Sequence, residues 1–216
     1  MKRKLQITGR GKLSVTPDIM MLSFSAVAQE WEYDKTVDSL NSKVEELRAI
    51  VEAQDIARSA LKTKDFGIRK ETQWNRKTEK SEFAGYSATH RLELELPLDK
   101  TRINKLLGQI ARKLDNLDFS ISFGVKDAKG PQQRLILQAI AEAKENADLI
   151  AKATEVELRE ILDIDYTYRE LTIRSQNYEY PVYDRQVLME TSAPAPDFEP
   201  DDIDVVETVT ITWRIG

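Results

Sequence analysis

The chain has 216 residues, 41% of them hydrophobic, enough to bury a sizeable core in one large unit with two lobes. It contains no cysteine, which removes disulfides, thiolate nucleophiles, Cys-ligated zinc and iron–sulfur clusters together and fits a reducing, cytoplasmic setting. A net charge of −5 supplies no basic field to recruit a phosphate backbone or an anionic membrane, so nucleic acid is not an expected partner.

The basic start Met1-Lys2-Arg3-Lys4 is followed by Leu5 to Arg10 without the apolar run of about 7–15 residues that an export signal needs. No stretch approaches the roughly 20 consecutive apolar residues of a membrane-spanning helix. Residues 5 to 16 alternate around Gly9 and Gly11 and read as a short β-segment with a turn or bulge. After Pro17-Asp18 comes a strand from Ile19 to Ala28, with Leu22, Phe24 and Ala26 on one face. From Tyr33 the period lengthens. Val37, Leu40, Val44, Leu47 and Val51 form the apolar stripe of a helix ending near Gln54.

Residues 61 to 74 return to period two, with Phe66, Ile68, Lys70, Thr72 and Trp74 on one parity, before a charged turn at Asn75 to Glu82. The returning arm alternates Leu92, Leu94 and Leu96 with Arg91, Glu93 and Glu95, as an antiparallel strand with one wet face does, and Pro97 closes it. A second helix is predicted over Lys100 to Arg112, then a strand through Phe119, Ile121, Phe123 and Val125. Gly130-Pro131 opens a third helix, predicted over about 131 to 153. Its stripe of Leu135, Ile136, Ala139, Ile140, Ala143, Ala147, Ile150 and Ala151 is small enough to approach a sheet closely.

Leu162, Ile164, Tyr166 and Tyr168 give a further strand, and Val205 to Ile215 alternates as the last. Between them, residues 171 to 200 read as a long loop or arm. Strands paired as hairpins with helices between them predict an α+β fold: largely antiparallel sheets with amphipathic helices packed on one face, in a two-lobed arrangement.

Five segments in this order resemble the SIMPL-domain family (DUF541) nearly end to end. They are Ile7-Thr8-Gly9-Arg10-Gly11-Lys12 with Val15-Thr16-Pro17-Asp18, Lys62-Thr63-Lys64-Asp65-Phe66, Gly85-Tyr86-Ser87-Ala88, Ala139-Ile140-Ala141-Glu142-Ala143-Lys144, and the closing strand Val205 to Ile215. The resemblance implies a single SIMPL-like domain over 1–216, a bacterial member, no shared catalytic residues and a link to stress tolerance. Many bacterial members look secreted or periplasmic. This chain departs from them in lacking a signal peptide, so an envelope location is expected only if a leader was removed.

Few residues offer chemistry. Gly9-Arg10-Gly11-Lys12 lacks the spacing of a phosphate loop and precedes a strand, so a glycine bulge is expected there. His90, the one histidine, shares parity with Leu92 and reads as a hydrogen-bonded structural residue. The acidic run Asp197, Glu199, Asp201, Asp202 and Asp204 lacks calcium-loop spacing and reads as a solvated approach to the last strand.

Tyr166, Tyr168, Tyr178, Tyr180 and Tyr183, with Leu188, are the candidate interface, since aromatic residues with an arginine rim suit protein contacts; packing of the loop on its own domain is the alternative. The expected function is therefore non-enzymatic protein interaction or self-assembly, with a second copy or another protein as partner, and with no cofactor, metal or catalytic residue. The alternatives are an enzyme with an unrecognised carboxylate or Ser-Lys site, and a small-molecule or peptide carrier.

Overall fold

A computed structural model describes residues 3–113, 117–179 and 199–216. In chain order the elements are β1 (Lys4–Val15), β2 (Ile19–Glu30), α1 (Tyr33–Glu52), β3 (Leu61–Asn75), β4 (Lys80–Pro97), α2 (Lys100–Lys113), β5 (Leu117–Gly124), α3 (Lys129–Ala153), β6 (Leu158–Asp165), β7 (Tyr178–Glu179) and β8 (Ile203–Ile215). The α+β class expected from alternating hairpins and helices holds, and the chain divides into two compact units.

The first unit comprises Met1–Asp18, Gly124–Ser175 and Pro200–Gly216. Its antiparallel sheet runs β1-β8-β6, with β1 paired to β8 without a break from Lys4 opposite Arg214 to Val15 opposite Ile203. Alternation along β8 sends Val209, Ile211 and Trp213 to one face, where Ala139, Ala143 and Ala147 of α3 cover them. On the opposite face Thr8 and Thr210 join hydroxyls at 2.8 Å.

The bulge expected at Gly9 and Gly11 is absent, because β1 is regular throughout and neither glycine has a positive φ. Close approach is the reason for both. A Cβ on Gly9 would lie 2.0 Å from the Ala139 carbonyl oxygen and 2.5 Å from the Ala143 nitrogen, and one on Gly11 would lie 2.0 Å from the Leu135 oxygen. Glycine on the strand and alanine on the helix thus let α3 rest directly on β1. The strand expected through Tyr168 stops at Asp165, where β6 ends after two register shifts against β8.

The second unit comprises Ile19–Phe123 and Gln176–Glu199, with strand order β3-β4-β2-β5-β7. Met20, Leu22, Phe24, Ala26 and Ala28 of β2 face the same side as Ala88, Leu92, Leu94 and Leu96 of β4, and α1 and α2 close over them. The helices contribute Leu40, Val44, Leu47 and Val51, and Ile103, Leu106, Leu107 and Ile110. Each such side chain, fully buried, adds about 1.5–3 kcal/mol. Asp99 fixes the start of α2 by accepting from the Thr101 and Arg102 amides at 3.0 and 3.1 Å.

The arm expected over 171 to 200 is tied down at its beginning: Ile173 is buried, Arg174 bridges to Gly124, and Tyr178–Glu179 pair with β5 as β7. Its remainder, 180–198, lies outside the described residues.

Candidate interaction surface

β3 stands at the end of its sheet, bonded to β4 on one side and to no described strand on the other. Most of its side chains are exposed on both faces. Phe66 and Trp74 are 50% and 59% exposed, far from the burial that residues so apolar normally find. They share the helix-side parity with Ile68, Lys70 and Thr72, as the alternation predicts.

Two irregularities shape this hairpin. An extra residue at Lys64 interrupts β3 near its start, and an extra residue at Ala84 interrupts β4 opposite Glu71 and Thr72. The second brings Phe83 and Tyr86 onto one side with ring centroids 5.3 Å apart, although a regular strand would point residues three apart in opposite directions. Trp31 meets Phe83 edge-on at 5.1 Å and Tyr33 meets Tyr86 at 5.7 Å, so four rings from the link between β2 and α1, from α1 and from β4 form one interlocked row. Trp31 remains 65% exposed at its end. Gly85 makes the bend possible: its φ is +111°, and a Cβ there would lie 2.6 Å from the Glu30 carbonyl oxygen.

His90 faces the helix side of β4, opposite Ala26 and Phe66. Its Nε2 and the Thr63 Oγ1 share a hydrogen bond of 2.8 Å, and the Phe66 ring stands perpendicular to it at 5.5 Å. Burial, seconded by the Arg48 guanidinium, lowers its pKa below the ordinary 6.5 and keeps the imidazole neutral at neutral pH. A hydroxyl partner and an aromatic wall hold the ring in place, and its Nδ1 is buried without a hydrogen-bond partner among the described residues.

The other residues singled out in the sequence are dispersed. The Arg10 amide donates to the Glu142 carboxylate and the Lys12 amide to Gln138 Oε1 at 3.2 Å, so side chains of α3 occupy the amides that an anion would need. Asp202 and Asp204 accept hydrogen bonds from Thr16 and Ser14, which ties the acidic approach to β8 onto β1. Tyr166 packs on the α3–β8 core with its hydroxyl buried and unpaired among the described residues, while Tyr168 is exposed. Of Tyr178 the backbone is described, on β7. Tyr180, Tyr183 and Leu188 lie outside the described residues.

Trp31, Tyr33 and Phe83 are exposed aromatic side chains that the structure gathers in one row with Tyr86, and Phe66 and Trp74 are exposed along β3. Sequence reasoning identified the parity of Phe66 and Trp74 without assigning them a role. The remaining rings come together only through the bend at Ala84 and Gly85.

A search of curated proteins returns no match. The family profile described as SIMPL, a protein of unknown function (DUF541), matches residues 5–213, which spans both sheets and all three helices. The chain therefore belongs to the SIMPL (DUF541) family.

Proposed function

We propose that this SIMPL-domain protein works through its surface, as a protein-interaction or self-assembly module without catalysis of its own. The observation that supports this reading most is the β3–β4 hairpin: a long open strand edge that carries the exposed Phe66 and Trp74, next to a strand bearing part of the Trp31–Phe83–Tyr86–Tyr33 row. Unpaired edge amides and exposed apolar side chains are both costly in an isolated protein, and both are what strand addition and protein contacts consume. His90, the one histidine, engages a hydroxyl through Nε2 and a ring by contact, with Nδ1 buried and unpaired among the described residues.

The absence of cysteine favours a cytoplasmic, reducing site of action, and the net charge of −5 disfavours a nucleic-acid partner. The stress-tolerance link suggested by family resemblance would then be exerted through a protein complex.

Light scattering across a concentration series, combined with complementation of a deletion strain by Trp31→Ser and Trp74→Ser variants, tests the reading. Mass above 24.8 kDa, or loss of complementation by folded variants, is expected. A protein that remains a monomer throughout and complements fully without both tryptophans would contradict it.

A further inference from the structure

We infer that the partner of the β3 edge is a second copy of this chain, paired antiparallel about a two-fold axis through Lys70; this rests on the interaction reading above and gives it a partner and a register. The argument begins with the edges. In the sheet of the first unit, the outward amides of β1 at Arg10 and Lys12 are taken by Glu142 and Gln138, and β6 is broken by two register shifts. β7 is described over Tyr178–Glu179. β3 is different: beyond its own extra residue at Lys64 it carries no other from Asp65 to Asn75, the shift at Glu71/Thr72 coming from the extra Ala84 of β4, and its outer edge is unpaired by any described strand.

Lys70 is the midpoint of that regular stretch. In a two-fold antiparallel pair centred there, Phe66 falls opposite Trp74 of the second copy, and Ile68 opposite Thr72. On the other face Arg69 falls opposite Glu71, and at the ends Asp65 meets Asn75. Within one copy Arg69 and Glu71 already form an ion pair of 2.6 Å, so two copies would build a square of alternating charges on one face and two aromatic pairs on the other.

Neighbouring registers are worse: an axis through Arg69 or through Glu71 sets that residue against its own copy and removes the Arg69–Glu71 meeting across the seam. An axis through Ile68 sets Asp65 against Glu71 twice, and an axis through Thr72 sets Lys70 against Trp74 and leaves both members of the Arg69–Glu71 pair without an opposite charge across the seam. The charges that protect an open edge from indiscriminate pairing thus select one arrangement. The single unfavourable meeting is Lys70 with its own copy on the axis, where long stems let the ammonium groups diverge.

The absence of native cysteine makes the register directly measurable. Residues directly opposite in an antiparallel pair have Cα atoms about 4.5–5.5 Å apart, within the roughly 4.4–6.8 Å that a disulfide spans. Lys70→Cys in the full-length chain, treated with oxidised glutathione, is expected to give a covalent dimer on non-reducing electrophoresis. Thr72→Cys should not, because in this register its two copies lie about 13 Å apart along the strands. Arg69→Glu should weaken the dimer on the order of tenfold, and Arg69→Glu with Glu71→Arg should restore it.

Cross-linking at Thr72→Cys or Ile68→Cys in place of Lys70→Cys would overturn the register. If none of the three cross-links while the parent still assembles by light scattering, the Lys70 register is wrong: this inference fails and the broader reading stands. If none cross-links and the parent is a monomer at every concentration, self-assembly fails as well.

Discussion

Gly9→Ala is the most informative single change in the first unit, because it adds one carbon where the structure has no room. The new Cβ would sit 2.0 Å from the Ala139 oxygen, 2.5 Å from the Ala143 nitrogen and 2.9 Å from the Ala143 Cβ, and the first two are backbone atoms that no rotamer change can move. Relief requires α3 to lift from β1 by an ångström or more. That would open the contact among Ala139, Ala143, Ala147, Val209, Ile211 and Trp213.

Overpacking alone costs about 1–3 kcal/mol, and the loosened helix contact places this variant at about 3 kcal/mol or above. For a chain of this size about 1 kcal/mol corresponds to 2–4 °C, so a fall in melting temperature of roughly 6–12 °C is expected by circular dichroism at 222 nm. Gly67→Ala is the control, since a Cβ there meets nothing within 4 Å, and it should melt within about 2 °C of the parent. Equal melting of both variants would refute the account of why β1 carries glycine.

Ala143→Asp places a carboxylate where the side chain is fully buried against the sheet, and should cost several kcal/mol and abolish or sharply lower the thermal transition. Gly85→Ala imposes a side chain at φ +111° beside the Glu30 carbonyl; it should loosen the aromatic row, visible as reduced near-ultraviolet dichroism with far-ultraviolet signal largely kept. His90 has a folded pKa below its ordinary 6.5, so the folded protein binds fewer protons than the unfolded chain in that range. The stability associated with the neutral ring is therefore complete above about pH 6.5 and is lost as pH falls through the folded value. His90→Asn should flatten the decline in melting temperature on the acid side of neutrality, and should still complement a deletion strain if it folds; a stable variant devoid of function would contradict the structural role.

Much of the fold was legible because its elements carry strong periods. The Leu92, Leu94 and Leu96 alternation placed β4, and the alanines of α3 announced a helix close to a sheet. Gly9 and Gly11 were misread for a physical reason. A glycine that makes a bulge and a glycine that admits a helix backbone are the same letter, and only distances to Ala139 and Leu135 separate them. The exposed aromatic row was illegible for another reason. Phe83 and Tyr86 share a side only because Ala84 is an extra residue in β4, and Trp31 and Tyr33 reach them only once β2 and β4 are paired. Tyr166 illustrates the limit of composition: grouped with Tyr168 as interface by its neighbours in sequence, it packs on the core of its own unit.

Hydrogen exchange followed by mass spectrometry at low and high protein concentration tests the central claim most directly, since it reports the backbone of β3 itself. The account predicts that amides between Asp65 and Asn75 exchange more slowly as concentration rises, with protection confined to that strand and the adjoining aromatic segments. Exchange along β3 that is fast and identical at every concentration, in a protein shown by light scattering to be assembled, would contradict it.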